Sequence, residues 1–238
     1  MGNYTKYSLF LRKKSFNLSK LEFFHYLCYF KKNYLPHLEK YKKPKILEIG
    51  CGLGHFLFFL ERYGYKNIEA IDLDNENVSF CRKRGFKFVK KANMYSFVTG
   101  YGKGKYDLIV INDVLEHVPK EKVVSFLRDC RNILKKDGEI LIKTVNCNNI
   151  YGISSFFSDF THEVGYTEEK IKQLAFISGF GDCRVYNLYL PLMLPVIDQI
   201  RRFFIIDIIY RFKKVNFLLN GRKGIDVFSK NFLAILKK

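Results

Sequence analysis

Apolar and polar positions divide the chain into three parts. Between residues 45 and 145, short runs rich in Ile, Val and Leu alternate with stretches at helical spacing. The runs 45–49, 68–72, 86–89, 106–111 and 139–145 have the length and β-branched content of strands, and 55–63, 75–84 and 120–135 read as helices. The last helix is expected to close on Lys135-Lys136-Asp137-Gly138, a basic final turn with a glycine stop. Strands alternating with helices predict an α/β fold, a doubly wound, mostly parallel sheet with helices on both faces.

The flanking parts differ. In 1–43, Leu18, Leu21, Phe24, Leu27 and Cys28 follow helical spacing, with Ser19 as a cap and Pro44 as the stop. After Val145 a loop is expected through Ser158. Thr167-Glu168-Glu169 then starts a helix to about Ser178, and strand-like runs follow at 183–190 and 226–236. The expected organisation is a helical N-terminal extension over 1–43, then one domain over 44–238 with a cofactor half (44–146) and acceptor-side elements (147–225). No internal repeat or low-complexity tract is visible.

Composition narrows the class. The 238 residues are 48% hydrophobic and 17% aromatic, which opposes disorder and suits one large domain. The formal net charge of +18 predicts attraction to polyanions, such as nucleic acid, anionic lipid or a phosphate-bearing small molecule. Six scattered cysteines, at 28, 51, 81, 130, 147 and 183, without a C-x-x-C pair, exclude the common zinc spacings and read as reduced thiols of a cytoplasmic protein. No signal peptide is expected, because Lys6, Arg12, Lys13 and Lys14 interrupt the first apolar stretch. The stretch 185–212 carries Asp198, Arg201, Arg202, Asp207 and Arg211, too many charges for a transmembrane span. It leaves room for packing on the sheet, a homodimer contact or peripheral membrane contact.

The strand at 45–49 runs into Glu48-Ile49-Gly50-Cys51-Gly52-Leu53-Gly54 and then a helix. Glycines at such a turn let backbone approach a ligand, and the turn lies at the strands' carboxyl ends, where ligands bind in doubly wound sheets. The dinucleotide spacing G-x-G-x-x-G fails because His55 stands at the last glycine, and no Gly-Lys-Ser/Thr follows for a P-loop. Acid-x-Gly-x-Gly-x-Gly instead resembles class I S-adenosylmethionine methyltransferases. Ala70-Ile71-Asp72-Leu73-Asp74, Lys91-Ala92-Asn93-Met94 and Tyr106–Asn112 running on into Asp113-Val114-Leu115-Glu116-His117 extend the resemblance over about 40–145.

The resemblance implies a Rossmann-like seven-stranded sheet, with the N-terminal helices as a lid and a C-terminal helical insertion before the last strand. It implies S-adenosylmethionine as cofactor and S-adenosylhomocysteine as product. Glu48 would lie near the methionine end, Asp72 on the ribose, and Asn93 and Met94 beside adenine, with Asn93 where the family often has Asp. Gly50, Cys51, Gly52, Gly54, Leu73, Asn112 and Asp113 complete the implied cofactor set.

For the acceptor, Asn112-Asp113-Val114-Leu115 departs from the Asn/Asp-Pro-Pro-Tyr/Phe of enzymes acting on base amines, so nucleic acid is not the expected partner. The run Ser158 to Thr167, with Ser178-Gly179-Phe180 and Val227–Leu233, resembles methyltransferases of bacterial surface-polysaccharide clusters. That implies an O-methyltransferase acting on an anionic small molecule or a glycan precursor of capsule or lipopolysaccharide. A quinone or other small metabolite is the alternative, and a nucleic-acid-binding protein on the same fold is the alternative of another class. His162 is the first candidate for general base, Asp159 its orienting partner and His117 the second candidate. Phe23, Phe24, Tyr26 and Tyr34 are expected to wall the acceptor pocket. Asp113 with Asn146 suggests a magnesium site, but Cys147 stands where another oxygen ligand is wanted, so no metal is expected.

Overall fold

The computed structural model describes residues 20–100, 102–189, 207–219, 221 and 226–238. The strands β1 (Ile46–Ile49), β2 (Ile68–Asp72), β3 (Val89–Lys91), β4 (Tyr106–Asn112), β5 (Leu134–Val145), β6 (Asp182–Asn187) and β7 (Asn231–Lys237) form one sheet in the order β3-β2-β1-β4-β5-β7-β6. β1 pairs parallel with β2 and β4, so Ile49 stands level with Ile71 and Ile111 at their carboxyl ends. β7 inserts antiparallel between β5 and β6. The expected seven-stranded, mostly parallel architecture is present.

β1 is buried at all its positions, as suits a strand covered on both faces. One face carries α6 (Lys120–Ile133), whose Val123, Phe126, Leu127, Cys130 and Ile133 recur at helical spacing and are buried with Ile171 and Ala175 of α8 (Glu168–Ile177). Thr167 caps α8 by accepting the Lys170 N–H at 3.1 Å. The other face carries α1 (Lys20–Asn33), α2 (Leu35–Leu38) and α3 (His55–Arg62). Phe30, Tyr34, Phe56 and Phe59 interlock there at ring separations of 5.0–5.6 Å. The N-terminal helix thus shares its core with the sheet.

Several elements differ from their sequence pattern. The third strand starts at Val89 because Lys87 N bonds Gly85 O and Val89 N bonds Phe86 O, turning 86–88 away from the ladder. Helix α6 stops at Ile133, and Asp137, not Gly138, adopts the left-handed conformation (φ 64°). Gly138 answers crowding instead: a Cβ there would stand 3.1 Å from Asp107 O and from Lys135 O. The expected loop before Ser158 contains α7 (Ile150–Phe157), started by Asn149, whose side chain accepts the Tyr151 and Gly152 N–H groups. Two short helices, α4 (Asn75–Lys83) and α5 (Met94–Thr99), flank β3, and α9 (Asp207–Leu219) precedes β7. Of the expected N-terminal helical spacing, Leu21, Phe24, Leu27 and Cys28 fall in α1, while Leu18, the cap Ser19 and residues 190–206 lie outside the described residues. No helix among the described residues is long and apolar enough to cross a membrane.

The expected strand at 226–236 begins only at Asn231 because asparagine side chains occupy the backbone before it. Asn146 Nδ2 donates to Val227 O and Ser229 O, Asn149 Nδ2 to Phe228 O, and Asn187 Oδ1 accepts from Phe228 N and Ser229 N. Gly152 lies so close that a Cβ would overlap Asn146 O. Removing this amide would leave two carbonyls orphaned. Asn146→Ala is expected to lower the unfolding free energy by about 2–4 kcal/mol in a urea titration. A change within about 0.5 kcal/mol, the usual surface value, would contradict the bracing role.

Candidate functional site

The carboxyl ends of β1, β2 and β4 open into a cleft of about 230 Å³. At the glycine turn the chain leaves β1 with Gly50, Gly52 and Gly54 all in the left-handed region (φ 76°, 51° and 76°). Two of these need glycine for different reasons. A Cβ on Gly50, which lines the cleft, would run into Val114 Cγ2, whereas at Gly52 it would meet open space and only the left-handed backbone asks for glycine.

Asp72, at the end of β2 and 8% exposed, holds this turn in place. Its Oδ2 accepts the Gly52 N–H and its Oδ1 the Asp74 N–H, both at 2.8 Å, with Asn77 Nδ2 at 3.3 Å from Oδ1. Burial lifts its carboxyl above the ordinary range, against the pull of those donors. A carboxylate has about four acceptor directions, so the group can take these three donors and still accept one hydroxyl from the cleft. Around it Ile71, Leu73, Ala92, Met94 and Val114 supply apolar walls, and Tyr95 and His117 close the lining.

Of the residues implied for the cofactor, Gly50, Asp72, Leu73, Asn93 and Met94 line this cleft. Asn93 caps α5 through its side-chain oxygen, 2.9 Å from the Tyr95 N–H, which occupies that acceptor locally. Glu48 is buried behind the turn. Burial, with Cys81 and Asp72 beside it, holds its carboxyl well above the carboxylate range, and its Oε2 has no hydrogen-bond partner. Asn112 likewise leaves Nδ2 unpartnered while its Oδ1 accepts the Tyr34 hydroxyl at 2.5 Å. The Cys51 side chain belongs to the apolar cluster with Leu57, Val78 and Phe86 rather than to the cleft lining. Gly54 starts α3 as its cap and packs within 3.0 Å, measured from an added Cβ, of Cys81 Sγ. Asp113, in a left-handed conformation, pairs with Lys143 at 2.5 Å. Of the cleft lining, Val114 lies inside the 113–117 run singled out in the sequence, whereas Tyr95 directly follows the 91–94 segment and has no other sequence signal.

The residues present fit S-adenosylmethionine. The bare backbone of Gly50, the buried carboxylate of Asp72 and the apolar walls suit a nucleoside, and the buried Glu48 Oε2 can accept from a cationic amine.

The candidate catalytic residues gather at the edge of the cleft. His117, in a 3₁₀ turn (Leu115–His117) after β4, lines it. Burial and the neighbouring His162 push its imidazole down to about 4, so it is neutral at pH 7. The rings of His117 and His162 are 4.8 Å apart. Asp159 Oδ2 stands 3.7 Å from His162 Nε2, and its Oδ1 accepts both the Thr161 N–H and hydroxyl. His117 is therefore the histidine at the cleft and His162 stands behind it. The Asp113–Asn146 pair forms no site, because Asn146 is fully buried and spends its amide on backbone. Tyr34 is buried, Tyr26 stacks on His55 at 4.6 Å, Phe24 is exposed, and the Phe23 side chain lies outside the described residues.

Comparison with known proteins agrees with this geometry. A ubiquinone biosynthesis O-methyltransferase of Actinobacillus pleuropneumoniae serotype 7 is 29% identical over 110 residues, covering 43% of this chain and 46% of that protein. One of Shewanella pealeana is 26% identical over 108 residues, covering 44% of each. The matches thus span less than half of these curated relatives. Among solved structures, a SAM-dependent methyltransferase from Archaeoglobus fulgidus superposes with a TM-score of 0.62 at 20% identity, over 90% of this chain and all (100%) of that one. The Burkholderia thailandensis 1,6-didemethyltoxoflavin-N1-methyltransferase, solved with S-adenosylhomocysteine, gives 0.53 at 15% identity, over 85% and 73%. Residues 22–179, more than half of the chain, match the family described as a methyltransferase domain. The chain therefore belongs to the methyltransferase-domain family and has the fold of its S-adenosylmethionine-dependent members.

Proposed function

We propose that the chain is an S-adenosylmethionine-dependent O-methyltransferase. One observation carries this reading: a single cleft is lined by Gly50 of the glycine turn, by Asp72 and by the neutral imidazole of His117. When bound, S-adenosylmethionine supplies an electrophilic methyl group on a sulfonium. Asp72 and the glycine turn would hold its nucleoside, and Glu48 would meet the amine. Transfer is an in-line displacement, so the larger part of the catalytic work is positioning. A neutral hydroxyl must in addition lose its proton, and the His117–Thr161–Asp159–His162 cluster is the polar machinery beside the cleft that can assist.

For the acceptor we read a hydroxyl or phosphate-type oxygen of a bacterial surface-glycan precursor. The support is the sequence resemblance of the 158–167 and 227–233 segments and the net charge of +18, which suits anionic acceptors. A quinone-type phenol is the second reading, supported by the similarity to ubiquinone biosynthesis O-methyltransferases.

Thermal unfolding tests the donor assignment. At about 100 times its dissociation constant, S-adenosylhomocysteine adds roughly 2.7 kcal/mol, an expected rise of about 5–10 °C in Tm. The rise should vanish in Asp72→Ala; no rise in the unaltered chain would refute the donor site. His117→Ala should keep the rise yet slow methyl transfer by about a hundredfold or more. Turnover within about twofold of the unaltered chain would remove His117 from the chemistry. Radiolabelled methyl transfer to nucleotide sugars against transfer to a catechol-type quinol separates the two acceptors.

A further inference from the structure

The hydrogen-bond network assigns the protons of both histidines. Phe156 O, which can only accept, lies 2.8 Å from His162 Nδ1, so that nitrogen carries a proton. The Thr161 hydroxyl donates to Asp159 Oδ1, so it accepts at 2.9 Å from His117 Nδ1, which also points at Thr161 O at 3.2 Å. His117 Nδ1 therefore carries a proton as well. His162 Nε2 and Asp159 Oδ2 face each other at 3.7 Å. A ring nitrogen of each histidine and a carboxylate oxygen of Asp159 all lie within 4.8 Å of one another. Imidazoles whose Nδ1–H groups are fixed by carbonyl or hydroxyl oxygens beside a carboxylate are an arrangement in which outer contacts orient metal ligands.

We propose that His117, His162 and Asp159 bind a divalent first-row cation, such as Zn²⁺, Co²⁺ or Mn²⁺, which holds the oxygen of the acceptor. Two imidazoles and one carboxylate suit these ions better than Mg²⁺. Ligand atoms around a tetrahedral ion lie about 3.3 Å apart, so the trio closes by side-chain rotation. Three protein ligands leave open positions, and His117 at the cleft directs one of them at the acceptor. The class of acceptor that fits is a hydroxyl with a second oxygen beside it, as in a vicinal diol or a catechol. Coordination weakens the O–H bond; the proton leaves to solvent water, and the oxygen keeps the electron pair. This rests on the reading of the cleft as the donor site, since the cation acts only beside it.

The test uses the untagged, chelator-treated full chain titrated with Co²⁺, read by visible d–d absorption. One Co²⁺ per chain is expected, with the band lost in His162→Ala and in Asp159→Ala. Thr161→Val, which removes an outer contact, should weaken binding by about tenfold or more. His37→Ala, outside the cluster, should leave binding unchanged. The S-adenosylhomocysteine rise in Tm should persist in all these variants, which separates failure of the cation site from failure of the donor site. No saturable band, or one that survives in His162→Ala, overturns the site. A bound ion whose removal by chelator leaves turnover unchanged overturns its role with the acceptor.

Discussion

Everything at the ligand end of the sheet depends on one carboxylate. Asp72 is buried at the tip of β2 and reaches across to β1, where it accepts the Gly52 N–H, while its other oxygen takes the Asp74 N–H that leads into α4. A turn with three successive left-handed glycines is costly to order, because glycine loses more conformational freedom on folding than any other residue. The charge-assisted bond from Asp72 to the Gly52 N–H fixes this turn. The same carboxylate lines the cleft, so the candidate binding surface and the fold share one group.

The histidine side of the same cleft is organised differently. There the chain uses a 3₁₀ turn after β4 to place His117, and a return of the backbone from α7 to bring up Asp159, Thr161 and His162. Glu163 N and Val164 N donate to Glu116 O, stitching the two segments together at the residue beside His117. The polar cluster thus depends on contacts between segments about 45 positions apart in sequence. Phe156 stacks on His162 and accepts its Nδ1–H, so α7 fixes the orientation of that ring.

This contrast explains what could be read from sequence. The central alternation of strands and helices, the glycine turn and Asp72 are local patterns, and they stand where their spacing placed them apart from the third strand, which local turns at 85–88 move to Val89–Lys91, and the helix end at Ile133. The elements misread outside this centre are those ruled by side chains that bond backbone from afar. The stretch before Asn231 is extended, but Asn146, Asn149 and Asn187 occupy its groups instead of a neighbouring strand. Helix α7 (IYGISSFF) contains β-branched residues, Ser and Gly, a composition that conceals it, and its Gly152 answers an approach to Asn146 visible only in three dimensions. At the site, His117 and His162 could be named individually from the sequence. Their order, and the facing of His162 Nε2 and Asp159 Oδ2, follow from tertiary placement.

The asparagine bracing also bears on how this scaffold can vary. Asn187 closes β6 by bonding across to Asp226 O and to the Phe228 and Ser229 N–H groups, while the Ser229 hydroxyl accepts the Leu188 N–H. The two roots of the intervening stretch, 190–225, are therefore cross-tied before it begins and after it ends. The register of β6 on β7 is thus held by ties between residues 187–188 and 226–229, in addition to the ladder itself. A change of length between these roots is carried by the chain between them and not by the sheet.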